Sequence, residues 1–187
     1  SRDARAEMLF RRLVKAHVTV TATPVDWVRP LSDRELDVLH PAAREEYAQT
    51  RALAGKPGMP PPPQRGEGPL SLRFVKAGGS LVLGSDPCCG SSIPGFASHD
   101  AVKLLVEAGF TPLDAVKIAT LNGAKYLGRD AKIGTIAAGK QADLIVVRGD
   151  PSQRIEDVEN VEIVFKRGVG FDPAKLIESV KGQVGIW

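Results

Sequence analysis

The stretch that most constrains the fold is the apolar run at 81–83, which continues through Gly84 and Ser85 to a carboxylate, Asp86. Leu, Val and Leu in succession favour a strand that is buried on both faces, as parallel strands are. The residues that follow, 87–95, are rich in proline, glycine and serine and favour a loop. In α/β barrels the C-terminal ends of strands carry the chemistry. We therefore predict that Asp86 lies at the root of a functional loop.

The composition excludes several classes of protein. The 25 basic and 22 acidic side chains of this 187-residue chain are interspersed, so nucleic-acid binding is not expected. No apolar run reaches the roughly 18 residues that a membrane helix needs, so we expect no membrane partner and a cytoplasmic location. Cys88 and Cys89 are adjacent and lack the spacing of a zinc site, so we interpret them as small buried side chains.

Helix and strand patterns alternate over the first part of the chain. Helices are predicted at 5–16, at 32–53 with a break at Pro41, at 70–76 and at 101–108, and strands at 17–23 and 81–86. Thr111, Pro112 and Asp114 have the spacing of a helix N-terminus with a capping box, and a short helix is expected at 122–127. The proline- and glycine-rich segment 55–69 suits neither element and predicts a connector or mobile lid.

Beyond residue 134 the pattern changes from helix to strand. A small separate sheet and a tail helix are predicted from 134–136, 144–147, 161–166 and 173–180. The segment 134–140 nearly matches a phosphate-binding loop, but Gln141 replaces the required Ser or Thr. We therefore interpret this segment as a hairpin between strands.

Three stretches resemble the amidohydrolase superfamily, in particular its imidazolonepropionase-like and Xaa-Pro-dipeptidase-like members. They are GSD at 84–86, LVEAGFTPLDAV with ATLNGA within 105–124, and GTIAAGKQADLIVV at 134–147. The resemblance implies an α/β chain that forms the C-terminal portion of a (β/α)8 TIM-like barrel plus the C-terminal strands of a small β-sandwich. Residues 1–130 would supply the last βα units, with the lid at 55–69, and residues 131–187 the sandwich strands and the tail helix.

The resemblance also implies a chemistry. Such enzymes are metal-dependent amidohydrolases that cleave a small amide, lactam or dipeptide-like C–N bond with metal-activated water, and one or two divalent ions, most simply zinc, would be the cofactor. Asp86 matches the aspartate that approaches the metal and shuttles the proton. The family's His-x-His and other ligands have no counterpart in this sequence. The N-terminal part of the same enzyme or a complementing chain would supply them, and a homo-oligomer is expected.

Other residues are candidates for binding the small-molecule substrate or for structural roles. Thr21 and Thr23 lie near the end of the first predicted strand and would line the pocket. His99, between the loop and the next helix, would contact substrate or cap that helix. We interpret His17 as structural, and His40 as solvated with substrate contact as the alternative.

A second class of function fits the same residues. A barrel-derived binding or scaffold protein that has lost its metal site would also lack the histidine ligands. Within the enzyme class, a deaminase or an organophosphate hydrolase would use the same aspartate, so the reaction subtype stays open at this point. Metal content separates the two classes, because only the enzyme requires a bound transition metal.

Overall fold

The computed structural model describes residues 2–24, 26, 29–53, 68–87 and 92–185, in which helices and strands alternate before a small sheet. The helices and strands are α1 (Arg2–Lys15), β1 (Thr19–Ala22), α2 (Asp33–Val38), α3 (Pro41–Leu53), α4 (Gly68–Lys76), β2 (Ser80–Leu83), α5 (Phe96–Glu107), α6 (Pro112–Lys117), α7 (Gly123–Tyr126), β3 (Leu144–Val147), β4 (Val161–Lys166), β5 (Val169–Phe171) and α8 (Pro173–Glu178). A π-helical turn, Ile118–Asn122, joins α6 to α7, and a 3-10 turn, Ile155–Glu159, precedes β4. No helix among these residues is long and apolar enough to cross a bilayer.

The two strands of the first sheet run parallel, and helices connect and cover them. β1 pairs with β2 from Thr19 opposite Ser80 to Ala22 opposite Leu83. The main core contains Phe10, Ala22, Phe74, Leu81, Val102, Leu105, Phe110, Ala115, Ile118 and Ile155. Leu81 is fully buried at its centre, and burial of such a side chain stabilises the fold by about 1.5–3 kcal/mol.

The connection from α4 into β2 requires glycine. A Cβ atom at Gly79 would lie 2.4 Å from the ring of Phe74, and Gly78 has a φ of +93°. That ring also packs against Phe10 of α1, with ring centroids 5.6 Å apart. The two glycines therefore let β2 start directly beneath the aromatic pair that joins α1 to α4.

The second sheet is antiparallel and has the order β3–β4–β5. None of its strand residues is fully buried, and Ile145, Ile163, Val169 and Phe171 are exposed apolar side chains. The 3-10 turn links it to the main core, because Ile155 is buried there. This sheet thus has apolar faces that the described residues leave uncovered.

Several sequence predictions are confirmed. The break predicted at Pro41 separates α2 from α3; a capping box between Ser32 and Glu35, which was not predicted, starts α2. Thr111 caps α6 by accepting a hydrogen bond from the Asp114 N–H, as expected.

Other predictions are wrong or lie outside the described residues. The segment 134–136 forms no strand, so the hairpin predicted at 134–140 is a loop that precedes β3. The strand predicted at 81–86 ends at Leu83, and His17 occupies a turn with a φ of +54° rather than the start of β1. Most of the predicted lid, and both cysteines, fall in 54–67 and 88–91, outside the described residues.

The C-terminal segment 182–184 forms backbone hydrogen bonds with the end of α2, the first helix after β1. The N–H groups of residues 182–184 donate to the carbonyl oxygens of Asp37 and Val38, and the His40 N–H donates to Val184. Val184 also packs against a second apolar cluster whose buried members are Leu31, Val38, Leu39 and Ile93. The segment therefore ties α2 to the residues that follow the loop after β2.

Ending the chain at Lys181 is expected to loosen α2 and leave the main core intact. The truncation removes backbone hydrogen bonds that each contribute about 0.5–1.5 kcal/mol. Amide hydrogen exchange at His40 should accelerate, whereas exchange at Leu105 should not change. Gln183→Ala is the matched control, since it removes only a side-chain bond to the Ser179 carbonyl. Unchanged exchange at His40 in the truncated chain would contradict the proposed tie.

Candidate active site

Three of the predicted site residues, Thr21, Thr23 and Asp86, lie near the carboxyl ends of β1 and β2. The Gly84 N–H donates to the Ala22 carbonyl at 2.8 Å, which extends the parallel pairing one residue beyond β2. A Cβ atom on Gly84 would lie 3.0 Å from the Thr21 methyl carbon and 3.2 Å from that of Thr23. Both threonines therefore flank the backbone two residues before Asp86, and their role in lining a pocket stays a prediction.

Asp86 leaves this strand end in an unusual backbone conformation. Its φ is +38°, in the left-handed region that aspartate tolerates better than most residues. Its side chain is exposed, and no other described side chain hydrogen bonds to the carboxylate. With respect to the described residues, the carboxylate thus faces solvent.

His99 is not brought to Asp86 by any contact among the described residues. It lies inside the first turn of α5 rather than between the loop and the helix. Burial lowers the pKa of its imidazole; nearby Glu159 opposes this shift and Lys103 adds to it. The charged groups around His99 lie on α5, the 3-10 turn and α2, where Arg34 also lowers the pKa, and its substrate role stays a prediction.

The stability of the assembled protein is expected to fall with acid partly because of His99. A folded-state pKa below the ordinary value of 6.5 means that the unfolded chain binds the proton first. The free energy of unfolding should therefore decrease as the pH drops below that value, and His99→Gln should flatten the decrease between about pH 7.5 and pH 5. Urea unfolding at several pH values measures this. The exposed His17→Gln is the control, and equal slopes for wild type and His99→Gln would contradict the prediction.

A charged network beside α5 was not predicted from the sequence. Arg29 donates to both carboxylate oxygens of Glu35, at 2.7 and 2.9 Å, and to Asp100 at 2.5 Å. Lys103 pairs with Asp100 at 2.8 Å and also with Glu159. Burial acts to raise the pKa of Glu35, but hydrogen bonds from Arg29 and Ser32 outweigh it and lower the pKa.

This network joins three parts of the fold that are distant in sequence. It connects the segment after β1, α5 and the 3-10 turn. Because Glu35 is buried and also completes the α2 capping box, its ionised carboxylate fixes the start of α2. The network therefore stabilises α2 and the segment that joins it to β1.

The described residues do not form a metal centre on their own. They contain no group of three or more His, Cys, Asp or Glu side chains placed to hold a metal ion. His17 is exposed in its turn, and the Nδ1 atom of His40 accepts a hydrogen bond from the Ala42 N–H at 3.3 Å. Asp86 is the one predicted ligand that lies at the strand ends, so a catalytic zinc ion would need further ligands from elsewhere.

The alternating helices and strands, with a carboxylate at the strand ends, fit an enzyme of the amidohydrolase type with an α/β fold. Residues 71–177 match the model of the Amidohydrolase family. This chain belongs to that family.

Two curated relatives carry the same similarity. The chain is 32% identical over 143 residues to the 5-methylthioadenosine/S-adenosylhomocysteine deaminase of Moorella thermoacetica, which covers 67% of this chain and 33% of that protein. It is 34% identical over 80 residues to the imidazolonepropionase of Parabacteroides distasonis, covering 41% of this chain and 18% of that protein. The chain thus spans a third or less of either relative.

Solved structures show the same fold. A prolidase complexed with N-methylphosphonate-L-proline superposes with a TM-score of 0.61 at 23% identity, covering 89% of this chain and 38% of that chain. An adenosine deaminase from Xanthomonas campestris with bound zinc superposes with a TM-score of 0.55 at 20% identity, covering 93% of this chain and 38% of that chain. The described fold therefore corresponds to part of a larger amidohydrolase fold.

Proposed function

We propose that this chain forms the C-terminal part of a metal-dependent amidohydrolase that cleaves a small amide, lactam or dipeptide-like C–N bond. The observation that carries the proposal is the position of Asp86, exposed at the carboxyl ends of two parallel strands in a member of this family. The named relatives and neighbours act as deaminases, an imidazolonepropionase and a prolidase, which share attack at a carbon bonded to nitrogen. The proposed substrate is therefore a small molecule in which water attacks a carbon bonded to nitrogen.

The proposed architecture places β1 and β2 as the last two strands of a (β/α)8 barrel. Within the described residues β2 pairs with β1 only, and a further strand would pair along its other edge. The β3–β5 sheet would be the C-terminal share of a β-sandwich, and its exposed apolar residues suit cover by another sheet. The two units would divide near residue 130, giving 1–130 and 131–187.

Asp86 would move the proton in this reaction. Zinc, which a structural neighbour carries, lowers the pKa of bound water towards about 7. Asp86 accepts the proton released on attack and delivers it to the leaving nitrogen, which makes departure of the amine favourable. Thr21 and Thr23, beside Gly84, would line the substrate pocket at the same strand ends.

The remaining metal ligands would come from outside this chain's described residues. The N-terminal part of the same enzyme or a complementing chain would provide them together with the missing strands. A homo-oligomer and a cytoplasmic location are part of the same proposal. Neither nucleic acid nor membrane enters the proposed activity.

Metal removal from the assembled enzyme tests the proposal. The assay panel contains a purine amine, a cyclic imidazolone and an Xaa-Pro dipeptide, which represent the three reaction subtypes. Hydrolysis of at least one should be lost on chelation and return with added zinc. The alternative function, a binding or scaffold protein that has lost its metal site, predicts the opposite result. Such a protein would hydrolyse none of the panel and would retain no transition metal at purification.

A further inference from the structure

The edge of β2 that faces away from β1 carries a side-chain hydrogen bond that the proposed reaction does not use. The Asn122 Nδ2 atom donates to the Leu81 carbonyl oxygen at 2.8 Å, across 41 residues of sequence. Asn122 is half-buried, and Leu81 is fully buried. A polar side chain that reaches into a buried strand must be paired there, because an unpaired amide would be costly.

The direction of the β2 backbone shows which edge Asn122 occupies. Gly84 points its N–H towards β1, where the Ala22 carbonyl accepts it. Successive residues of a strand direct their backbone groups to opposite edges, so Leu83 and Leu81 point away from β1. Asn122 therefore holds the edge of β2 that has no strand partner among the described residues.

A π-helical turn places Asn122 at this edge. The helical run that Thr111 caps continues through Ile118–Asn122 into α7, and a π turn advances the facing side chains by an extra residue. Gly134 packs against this turn and the start of α7, since a Cβ atom there would lie 3.1 Å from the Leu121 Cα atom and 2.5 Å from the Ala124 Cβ atom. Turns of this kind occur frequently at functional sites.

We propose that Asn122 is a positioning residue for Asp86. It fixes β2 from one edge at Leu81, while Ala22 fixes it from the other edge at Gly84. The last residues of β2 are thus hydrogen bonded along both edges. The chain then enters the left-handed backbone at Asp86. The inference rests on the proposed role of Asp86 as proton carrier. Asn122 itself contacts the backbone of β2 and has no contact with the reacting atoms.

The test uses Asn122→Asp and Asn122→Ala in the assembled, zinc-loaded enzyme. The aspartate variant keeps the shape of the side chain but turns an acceptor towards the Leu81 carbonyl. The alanine variant removes the group without adding charge and serves if the aspartate variant does not fold. Asn160→Ala is the matched control, because Asn160 donates to Asp157 in the turn before β4 and not to β2.

We expect kcat of the Asn122 variants to fall on the order of 10-fold or more, because a small displacement of a catalytic group is costly. KM and zinc content should stay close to wild type, and the acidic limb of the pH–rate profile should shift. Asn160→Ala should change none of these. Wild-type kcat in both Asn122 variants, or a loss that merely follows a lower melting temperature and zinc content, would overturn the proposal.

Amide hydrogen exchange at Gly84 gives a readout that does not depend on activity. Its N–H should exchange faster in the Asn122 variants than in wild type or Asn160→Ala. An assembly that hydrolyses nothing would defeat the proposed function, while this exchange measurement still decides whether Asn122 holds β2. Unchanged exchange at Gly84 would overturn the inference by itself.

Discussion

Asp86→Asn in the assembled enzyme lowers kcat by at least about 10²-fold, the range expected for loss of a positioned proton-transfer group. The asparagine amide has nearly the same shape as the carboxylate but cannot accept the proton. Asparagine also tolerates the left-handed backbone found at this position, where φ is +38°. The fold should therefore persist. Steady-state kinetics together with zinc content by atomic emission measure the outcome.

Asp33→Asn is the matched control for this substitution. Asp33 is an exposed carboxylate in the first turn of α2, so the same chemical change there should leave kcat unchanged. An Asp86→Asn enzyme that retains most of its activity would remove Asp86 from the mechanism. Loss of zinc in that variant would instead give Asp86 a dominant role as a metal ligand.

The sequence predicted those elements whose signals are local. Thr111, Pro112 and Asp114 mark a helix start within four residues, and the Thr111 cap forms as expected. The apolar run before Gly84 predicted a buried strand, although the strand ends at Leu83. The position at a strand end and the family resemblance together selected Asp86 as the candidate carboxylate, and its role stays a prediction.

Elements that depend on particular side-chain contacts could not be predicted. The segment 134–136, expected to be a strand, is a loop in which the Lys140 ammonium donates to the Asp130 carbonyl and the Thr135 hydroxyl. The Gln141 N–H, which would serve a hairpin, donates instead to Lys132. A pattern of β-favouring residues carries no information on such partners.

The same limit applies to the candidate site. Arg29 and Asp100 are 71 residues apart, and Asn122 and Leu81 are 41 residues apart, so neither pair has a local signal. Asn122 lies in a stretch that looked like two short helices, and only the π turn between them aims its side chain at β2. Asp86 could therefore be proposed from the sequence, whereas Asn122, which we propose positions it, could not.

Residues 1–187 expressed alone are expected to unfold without cooperativity, to bind no zinc and to hydrolyse no amide. Within the described residues β2 has one strand neighbour, and the β3–β5 sheet leaves apolar side chains in water. Free strand edges and uncovered apolar faces of this kind associate with other chains. A catalytic zinc ion takes about three protein ligands, and among the described residues Asp86 is the one predicted ligand at the strand ends.

Co-expression with a segment that supplies the earlier strands and the His-x-His motif should restore all three properties. A parallel co-expression with Asp86→Asn separates assembly from catalysis, because that pair should assemble and bind zinc yet stay nearly inactive. A co-expressed partner that changes nothing would remove the complementation proposal.

Zinc stoichiometry and amide hydrolysis, measured side by side on purified residues 1–187 and on the same chain with its complementing segment, test the central proposal most directly. We expect neither property in the chain alone and both in the complemented protein. A monomer of residues 1–187 that melts cooperatively, binds zinc and turns over amides by itself would contradict both the partial-barrel assignment and the division of the metal ligands between segments.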